Sequence, residues 1–368
     1  MTAGVPNART WQLLNLLADG EFHSGEIFAR QLGVSRASVF NALAEVAEYG
    51  VILQRIRGRG YRLSRPWQRL DREEILRCLG QEAGKQDAGK FQIEIMARAS
   101  SSNALLLQRA GLGENNLIAP SGSVLAVELQ TAGRGRRGRV WHSGLGTALT
   151  FSLLWRFDSG LNALSGLSLA VGVAQMRALK KLGVLGVKLK WPNDVMTEQG
   201  KLGGVLIEAQ GDVLGPSAVV IGIGMNYTLT ENLLKQIDQP AAALDEICEK
   251  LPTRNQLLAA LLQELAQVLQ QFAQHGFAIF REEWEQYHLY QQKPVILSMP
   301  DGATVNGIAR GVSDRGELCL ETAQGMQHFN SGEIGVSAAV LGVRLRDGGV
   351  SNRTVPPPLS ANVSGVRR

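Results

Sequence analysis

Cysteine is scarce. The chain of 368 residues has 3 (Cys78, Cys248 and Cys319), too far apart for a disulfide framework or for any C-x-x-C metal or redox motif. Histidine is nearly as sparse: the 5 present (His23, His142, His275, His288, His328) show no H-E-x-x-H spacing, so no protein-held metal is expected. Aromatic residues are only 6% of the chain. Nowhere do the roughly 20 uninterrupted apolar residues of a membrane span occur. Met1 to Asn7 lack the basic and apolar segments of a secretory signal, so a cytoplasmic protein without a membrane partner is expected. A large excess of one charge is lacking too: 38 Lys and Arg stand against 33 Asp and Glu, a formal net charge of +5, too mild to require a nucleic-acid partner. The distribution says more. Basic residues cluster at Arg55–Arg65 and at Arg134–Arg139. That pattern fits two anionic ligands, or one ligand and one solvated loop.

With 45% hydrophobic and 19% charged residues, and this length, the composition is that of a globular chain of more than one domain. The first unit, residues 1–66, reads as three short helices and a hairpin. Trp11, Leu13, Leu14, Leu16 and Leu17 form a helical apolar group that stops at Asp19-Gly20. Ser24 is a good N-cap for a second helix to Leu32, and Gly33-Val34 a tight turn. Ser35 then caps a third helix to about Tyr49, ended by Gly50, with Val39, Leu43 and Val46 on one face. Val51–Ile56 and Tyr61–Leu63 are β-prone and joined by Gly58-Arg59-Gly60. This is the order of a winged helix-turn-helix. The third helix turns Arg36, Ser38 and Asn41 outward, residue types that suit bases and phosphates of a major groove, while the wing carries Arg55, Arg57, Arg59 and Arg62 with no acidic residue among them. The expected DNA-binding set is Ser35, Arg36, Ser38, Asn41, Arg57 and Arg59. A helical protein-interaction domain with a solvated basic hairpin is the alternative.

Residues 67–90 are expected to be a linker that includes one amphipathic helical run, Glu73–Leu79. From 91 to 291, strand-like and helical runs alternate in an α/β (α+β) pattern. The expected strands are Val124–Glu128, Ala148–Leu154, Val187–Trp191, Gly203–Glu208 and Ala218–Ile223. The expected helices are Asn103–Ala110, Gly166–Leu182 and Arg254–Glu283. Residues 292–341 are short strands broken by turns and read as a small β-barrel. The Gly-, Ser- and Pro-containing tail, residues 342–368, is expected to be disordered.

The densest chemical signal is Gln130-Thr131-Ala132-Gly133-Arg134-Gly135-Arg136-Arg137-Gly138-Arg139-Val140-Trp141. It contains G-x-G-x-x-G, but a dinucleotide fold needs those glycines to open a helix, and here they lead to the strand-like Thr147–Trp155. No G-x-x-x-x-G-K-[ST] is present either, which excludes a P-loop of that form. What remains is a glycine-hinged loop of guanidinium forks able to grip phosphate or carboxylate oxygens, with Trp141 placed to stack on a base; a solvated basic loop is the alternative. Further on, Val187-Lys188-Leu189-Lys190 runs into Trp191-Pro192-Asn193-Asp194, and Pro192 ends the strand so that Asn193 and Asp194 stand at its tip. Lys201-Leu202-Gly203-Gly204 places a cation at a strand start beside glycines that let a ligand approach the backbone; a hairpin with a surface lysine is the alternative. Gly222-x-Gly224-x-Asn226 is a third glycine-punctuated strand end.

Taken in order, Gln130-Thr131-x-Gly133-Arg134-Gly135-Arg136, Lys190-Trp191-Pro192-Asn193-Asp194, Lys201-Leu202-x-Gly204 and Gly222-x-Gly224-x-Asn226 resemble the signature series of the biotin protein ligases. The flanking winged helix and barrel resemble the bifunctional bacterial type, ligase and biotin-operon repressor. The resemblance covers Thr10 to about Val336 and implies a central mixed-sheet domain of the biotin/lipoate ligase type and an SH3-like C-terminal barrel. It implies a reaction in which biotin and MgATP give biotinyl-5′-adenylate, whose biotinyl group passes to a lysine of a biotin carboxyl carrier protein. It also implies operator DNA as a partner and a homodimer when the adenylate is bound. ATP and Mg²⁺ are the cofactors implied, the metal riding on the triphosphate. By the same resemblance, Lys201, Arg136 and Asp194 are catalytic. Ser101, Ser102, Asn103, Gln130, Arg134, Gly135, Arg136, Lys201 and Gly204 hold biotin, and Arg134, Arg136, Arg139, Trp141, Asn193 and Asn226 hold the adenylate. A ligase without repressor activity and a ligand-sensing transcription factor without catalysis are the alternatives.

Overall fold

The computed structural model describes residues 7–49, 51–65, 67–80, 91–111 and 118–336. The helix stop expected at Gly50, the polar stretch 81–90 of the linker and the tail 342–368 lie outside the described residues.

Three helices open the chain: α1 (Ala8–Leu16), α2 (Gly25–Gln31) and α3 (Arg36–Ala44). Each is started by the side chain that satisfies its first free amides: Asn7 accepts from Thr10, Ser24 from Glu26 and Ser35 from Ser38. The third helix is shorter than its apolar pattern suggests, because Glu45–Tyr49 winds more tightly as a 3₁₀ turn. The wing is the antiparallel pair β1 (Leu53–Ile56) and β2 (Gly60–Leu63). Leu13, Leu14, Leu17, Phe28, Val39, Leu43 and Val46 are buried together, as a helix-turn-helix core requires, and the cluster takes in Leu129 and Leu145 from the next domain. Trp67 ties the two, with its ring edge-on to Trp11 at 5.4 Å and its backbone amide donating to the Ala18 carbonyl.

The linker carries the helical run expected in it, and that run is packed against the domain rather than solvated. Helix α4 (Arg72–Cys78), capped by Asp71, inserts Ile75 and Leu76 into the main core. The Leu70 amide donates to Glu128 at 2.6 Å, and that carboxylate is ion-paired at 2.6 Å with Arg254; both residues are buried. Ile75 and Leu76 are apolar enough to be drawn under a domain, and so the segment cannot be a solvated tether.

The central domain follows, with β3 (Gln92–Ala99), α5 (Ser102–Ala110), β4 (Ser123–Gln130), β5 (Ala148–Phe157), α6 (Leu167–Lys181), β6 (Lys188–Lys190), β7 (Asp194–Met196), β8 (Lys201–Gly211) and β9 (Ser217–Asn226). The strands form one sheet in the order β3-β4-β5-β9-β8-β7-β6, in which the β3–β4 pair is parallel and the others antiparallel. One-turn helices α7 (Glu231–Leu234) and α8 (Leu244–Ile247) lead to α9 (Arg254–His275) and α10 (Arg281–Tyr287). The single helix expected over Arg254–Glu283 is therefore two: Gly276 at φ 67 leaves helical space, and the chain turns before restarting.

Alternation along the strands sorts the two faces of the sheet. Val124, Ala126, Leu149, Phe151, Leu153, Ile221 and Ile223 enter the large core with α6 and α9, whereas Leu125, Val127, Leu154, Ala218 and Val220 pack with Leu106 and Ala110 of α5. On that second face β9 reads Val220, Gly222, Gly224. The side chains stop where the α5 end of the sheet opens.

The C-terminal unit has β10 (Pro294–Ser298), β11 (Thr304–Val312), β12 (Leu318–Thr322), β13 (Gly325–Phe329) and β14 (Glu333–Val336), all antiparallel in the order β13-β12-β11-β10-β14. Its Val295, Leu297, Leu318, Leu320 and Ile334 join the main core, and Trp191 Nε1 donates to the Gly316 carbonyl at 3.1 Å, so this unit is packed against the central domain. Among the described residues no helix is long and apolar enough to cross a membrane.

Candidate functional site

Segments that are remote in sequence converge on a cavity of about 350 Å³. Its walls are the start of α5, the Gly-Arg loop, the Trp191–Asp194 turn, the starts of β8 and the end of β9, closed on one side by Gly332 and Glu333 of the barrel. Glycines make the room. A Cβ at Gly222 would lie 2.2 Å from Asn103 Oδ1, and one at Gly224 would lie 2.6 Å from the Trp141 ring. The third glycine signal thus marks where two side chains cross the sheet at backbone distance.

At one end, Ser101 caps α5, and Ser102 and Asn103 are buried beneath the cap. Gln130, at the end of β4, accepts from the Ser102 amide through Oε1 at 2.8 Å. Ser152 Oγ lies 2.7 Å from Ser102 Oγ and 2.5 Å from Asn103 Oδ1, and Asn103 donates to the Leu206 carbonyl and to Glu208, each at 3.1 Å. Ser152 and Glu208 were missed in the sequence. A serine inside a β-run and an acid at alternate register carry no local signature until the sheet faces are known.

At the other end, Lys201 Nζ is 2.6 Å from Asp194 Oδ1, and both groups are largely buried. Antiparallel pairing sets them there: Asp194 is opposite Gly204 and next to the bulge between Val195 and Met196 that re-aims Lys201. A Cβ at Gly204 would sit 3.3 Å from both Asp194 Oδ1 and Lys201 Cε, so the glycine leaves space for the ion pair. Asn193 is held by its own strand neighbour, donating to the Val205 carbonyl at 2.8 Å, and accepts from Arg136 Nη1 at 3.1 Å. Burial lowers the Arg136 pKa and nearby Arg137 lowers it further, while Asp194 and Glu333 oppose them.

The loop itself is a tight hairpin, with the Gly135 amide donating to the Arg139 carbonyl at 2.7 Å. The Trp141 amide donates to Gly133, where a Cβ would collide with the Trp141 carbonyl at 2.4 Å. Its arginines go different ways. Arg136 faces Asn193, Arg134 pairs with Glu208 at 2.8 Å, and Arg139 pairs with Glu333 at 2.5 Å. The solvated-loop alternative does not describe such a hairpin.

Two residues expected at the adenylate, Asn226 and Arg139, line the cavity and also have partners within the protein. The Asn226 amide donates to the Lys201 and Ala242 carbonyls at 3.2 and 3.0 Å, because β9 ends beside the segment that follows α7. Arg139 already has its charge matched by Glu333. Arg137, at φ 55, also lines the cavity and was not singled out in the sequence. No group of three or more His, Cys, Asp or Glu stands together among the described residues. Of the carboxylates that line the cavity, Asp194 and Glu333 are ion-paired, and Asp238 stands on the wall as well.

On the first domain, Arg36 and Asn41 are exposed on α3 and Ser38 is half-buried beside its cap Ser35, with their Oγ atoms 2.9 Å apart. Arg57 and Arg59 are exposed at the wing tip. Arg59 and Arg62 also stand 4.4 and 4.6 Å over the Phe22 ring, and Arg55 stands 4.7 Å over Phe40, aromatic supports that the basic run alone does not reveal.

A winged helix-turn-helix joined to a mixed-sheet domain with a cation-walled cavity, closed by an SH3-like unit, defines a nucleotide-using ligase type with a DNA-reading module. Residues 101–226 match the biotin/lipoate A/B protein ligase family, 293–336 the biotin protein ligase C-terminal domain and 9–62 a helix-turn-helix domain. The chain is 36% identical over 328 residues to the bifunctional ligase/repressor BirA of Escherichia coli (strain K12), covering 89% of this chain and 97% of that protein. It is 30% identical to the BirA of Bacillus spizizenii over 86% of this chain and 94% of that protein. A solved biotin protein ligase from Aquifex aeolicus in complex with biotin and ATP superposes with a TM-score of 0.55 at 27% identity, covering 66% of this chain and 97% of that one. The chain belongs to the biotin/lipoate A/B protein ligase family, among its bifunctional ligase/repressors.

Proposed function

We propose that this protein is an ATP-dependent biotin protein ligase that also represses transcription through its winged helix. The observation that carries the reading is the Lys201–Asp194 pair at 2.6 Å, in a cavity that the half-buried Arg136 enters from the Gly-Arg loop. In the first step a biotin carboxylate oxygen attacks the α-phosphorus of ATP, the bond to the β-phosphate oxygen breaks, and pyrophosphate leaves. Negative charge grows on the phosphoryl oxygens, and Lys201 and Arg136, already fixed, stabilise it more than they stabilise the ground state. Mg²⁺ carried in with the triphosphate would neutralise charge on its oxygens. Asp194 and Glu333 are ion-paired, and no three His, Cys, Asp or Glu stand together among the described residues, which fits a metal that comes with its substrate rather than one caged by protein.

Biotin lies at the α5 end, against Ser101, Ser102, Asn103, Gln130 and Gly204, with its carboxylate toward Lys201, Arg134, Gly135 and Arg136. The adenylate lies under the loop between Trp141 and Asn193. Asn226 serves by holding the Lys201 backbone, since its amide is committed to carbonyls there. In the second step the ε-amine of a carrier lysine attacks the biotinyl carbonyl, an amide forms, and AMP leaves with the bonding electrons. Asp194 orients the amine and takes up its proton. The mixed anhydride hydrolyses in water, so the hairpin loop must cover it until the carrier arrives.

The carrier is the biotin carboxyl carrier protein, and operator DNA is bound through Ser35, Arg36, Ser38, Asn41, Arg57 and Arg59. The DNA-binding form is a homodimer. Of β8 only Lys201–Gly204 is paired with β7, and among the described residues no strand covers the rest of that edge, beside which Val213 and Leu214 are 63% and 80% exposed. The test is biotin-dependent pyrophosphate release and carrier labelling by the wild type, Lys201→Ala and Arg136→Ala. Both variants should fold and lose adenylate formation or retention; a variant that labels carrier at the wild-type rate removes the site assignment. Operator binding that needs biotin plus ATP supports the repressor arm, and biotin-independent binding removes the co-repressor.

A further inference from the structure

Glu333 begins β14 in the C-terminal unit, yet its carboxylate reaches the Gly-Arg loop of the central domain. One oxygen is 2.5 Å from Arg139 Nη2 and the other 3.9 Å from Arg137 Nη1. Glu333 and the preceding Gly332 also line the cavity. Gly332 is at φ 149, and a Cβ there would meet Leu297 Cδ1 at 2.4 Å, so the turn that presents Glu333 is tied to the core of the barrel.

The loop needs such a partner. Residues 136, 137 and 139 are arginines, and a hairpin this tight brings guanidiniums together that repel one another. Arg137 is held at φ 55, a left-handed conformation unfavourable for a side chain with a Cβ, and Gly138 follows at φ 74. That pair of residues is what splits the arginines. Arg136 goes inward to Asn193, while Arg137 and Arg139 go outward to Glu333. The same carboxylate acts on Arg136 from a distance, opposing the lowering that burial and Arg137 impose on it.

We propose that Glu333 is a positioning residue for the nucleotide: by matching the charges of Arg137 and Arg139 it holds the loop in the hairpin that turns Arg136 alone toward the cavity. The inference rests on the ligase reading above and adds a residue of the C-terminal unit that acts on the nucleotide through the loop. Biotin, at the α5 end, should be bound independently of Glu333.

The experiment uses the full chain. In biotin-dependent pyrophosphate release, Glu333→Gln should raise KM for ATP about tenfold, a change equivalent to about 1.4 kcal/mol, while kcat stays within about twofold. Biotin affinity without ATP and the thermal midpoint should be unchanged. Glu333→Asp should recover part of the loss. Arg139→Glu should behave like Glu333→Gln or worse, and the exchanged pair, Arg139→Glu with Glu333→Arg, should recover most of the ATP affinity. An unchanged KM for ATP in Glu333→Gln overturns the proposal, as does a parallel fall in kcat, biotin affinity and midpoint. An exchanged pair no better than Arg139→Glu alone overturns it too, because Arg139 would then act on the nucleotide directly. A wild-type protein that releases no pyrophosphate with biotin removes the ligase reading itself, whatever the variants do.

Discussion

A single methyl group at position 222 should disable the biotin end of the cavity. The ideal Cβ of Gly222→Ala would lie 2.2 Å from Asn103 Oδ1, 2.8 Å from Cγ and 3.0 Å from Nδ2. Ordinary contact needs well over 3 Å, so the Asn103 amide must retreat by about 1 Å. It has no slack, being tethered at 2.5 Å to Ser152 Oγ and at 3.1 Å to both the Leu206 carbonyl and Glu208. A shift of that size takes hydrogen bonds out of range. At about 1 kcal/mol net for each bond, the loss of two or three destabilises the site arrangement by about 2–3 kcal/mol, or roughly 30- to 150-fold in biotin affinity. Calorimetric titration with biotin alone measures this, and thermal unfolding on the same samples shows whether the domain as a whole is weakened. The double variant with Asn103→Ala supplies the decisive comparison. If the methyl acts by displacing Asn103, adding Gly222→Ala to Asn103→Ala should have little further effect on affinity. Wild-type biotin affinity in Gly222→Ala, or fully additive losses in the double variant, would refute the reasoning.

Three further outcomes are expected. His288 is buried against Trp284, and its pKa is lowered from 6.5 to about 4, chiefly by burial, with Lys293 adding to the effect and the Gln291 hydrogen bond opposing it. The unfolded chain therefore takes up this proton first as pH falls, and stability that is full above pH 6.5 should drop by about 3 kcal/mol between pH 6.5 and 4. Denaturant titrations of His288→Gln should lack that part of the slope, and an unchanged slope would show that the ring is not neutral when folded. Gln175 is fully buried on α6 with neither amide atom partnered, so Gln175→Leu should raise stability by about 1 kcal/mol or more, read as a higher denaturant midpoint. Glu128→Gln leaves the buried Arg254 charge uncompensated and should destabilise by about 3–5 kcal/mol, whereas Glu128→Leu with Arg254→Met should recover much of that; equal losses in the two would contradict a charge effect.

Much of this was legible in the sequence because local physics and tertiary structure agree. Ser24 and Ser35 cap helices whatever surrounds them, and the apolar period of Val39, Leu43 and Val46 has one face to bury. The motif residues converge because strand-end turns and glycines are constrained by backbone geometry. What escaped was set by pairing between distant segments. Ser152, Glu208 and Glu333 enter the site through strand register and through the packing of one unit on another, which no window of neighbouring residues records. The helix of the linker was legible but its packing was not, for a related reason: Leu70, Ile75 and Leu76 look sparse beside a polar stretch until Glu128 and Arg254 supply the buried partner for that segment.

That distinction bears on how one chain couples chemistry to DNA. The Gly-Arg loop ends at Trp141, and within the next few residues the Leu145 amide donates to the Tyr49 carbonyl at 3.0 Å, at the end of the recognition-helix segment. Leu145 is buried in the winged-helix core, and a Cβ at Gly146 would meet the Trp67 ring at 2.5 Å. The loop that we propose to cover the nucleotide thus ends in a segment locked to the winged-helix domain, with Glu333 gripping it from the opposite unit. Three domains meet on one short stretch of backbone. A ligand can bias DNA binding only as far as it favours one arrangement of that stretch over another, and free energy from closing the loop is available at Tyr49 and Trp67 without any separate relay.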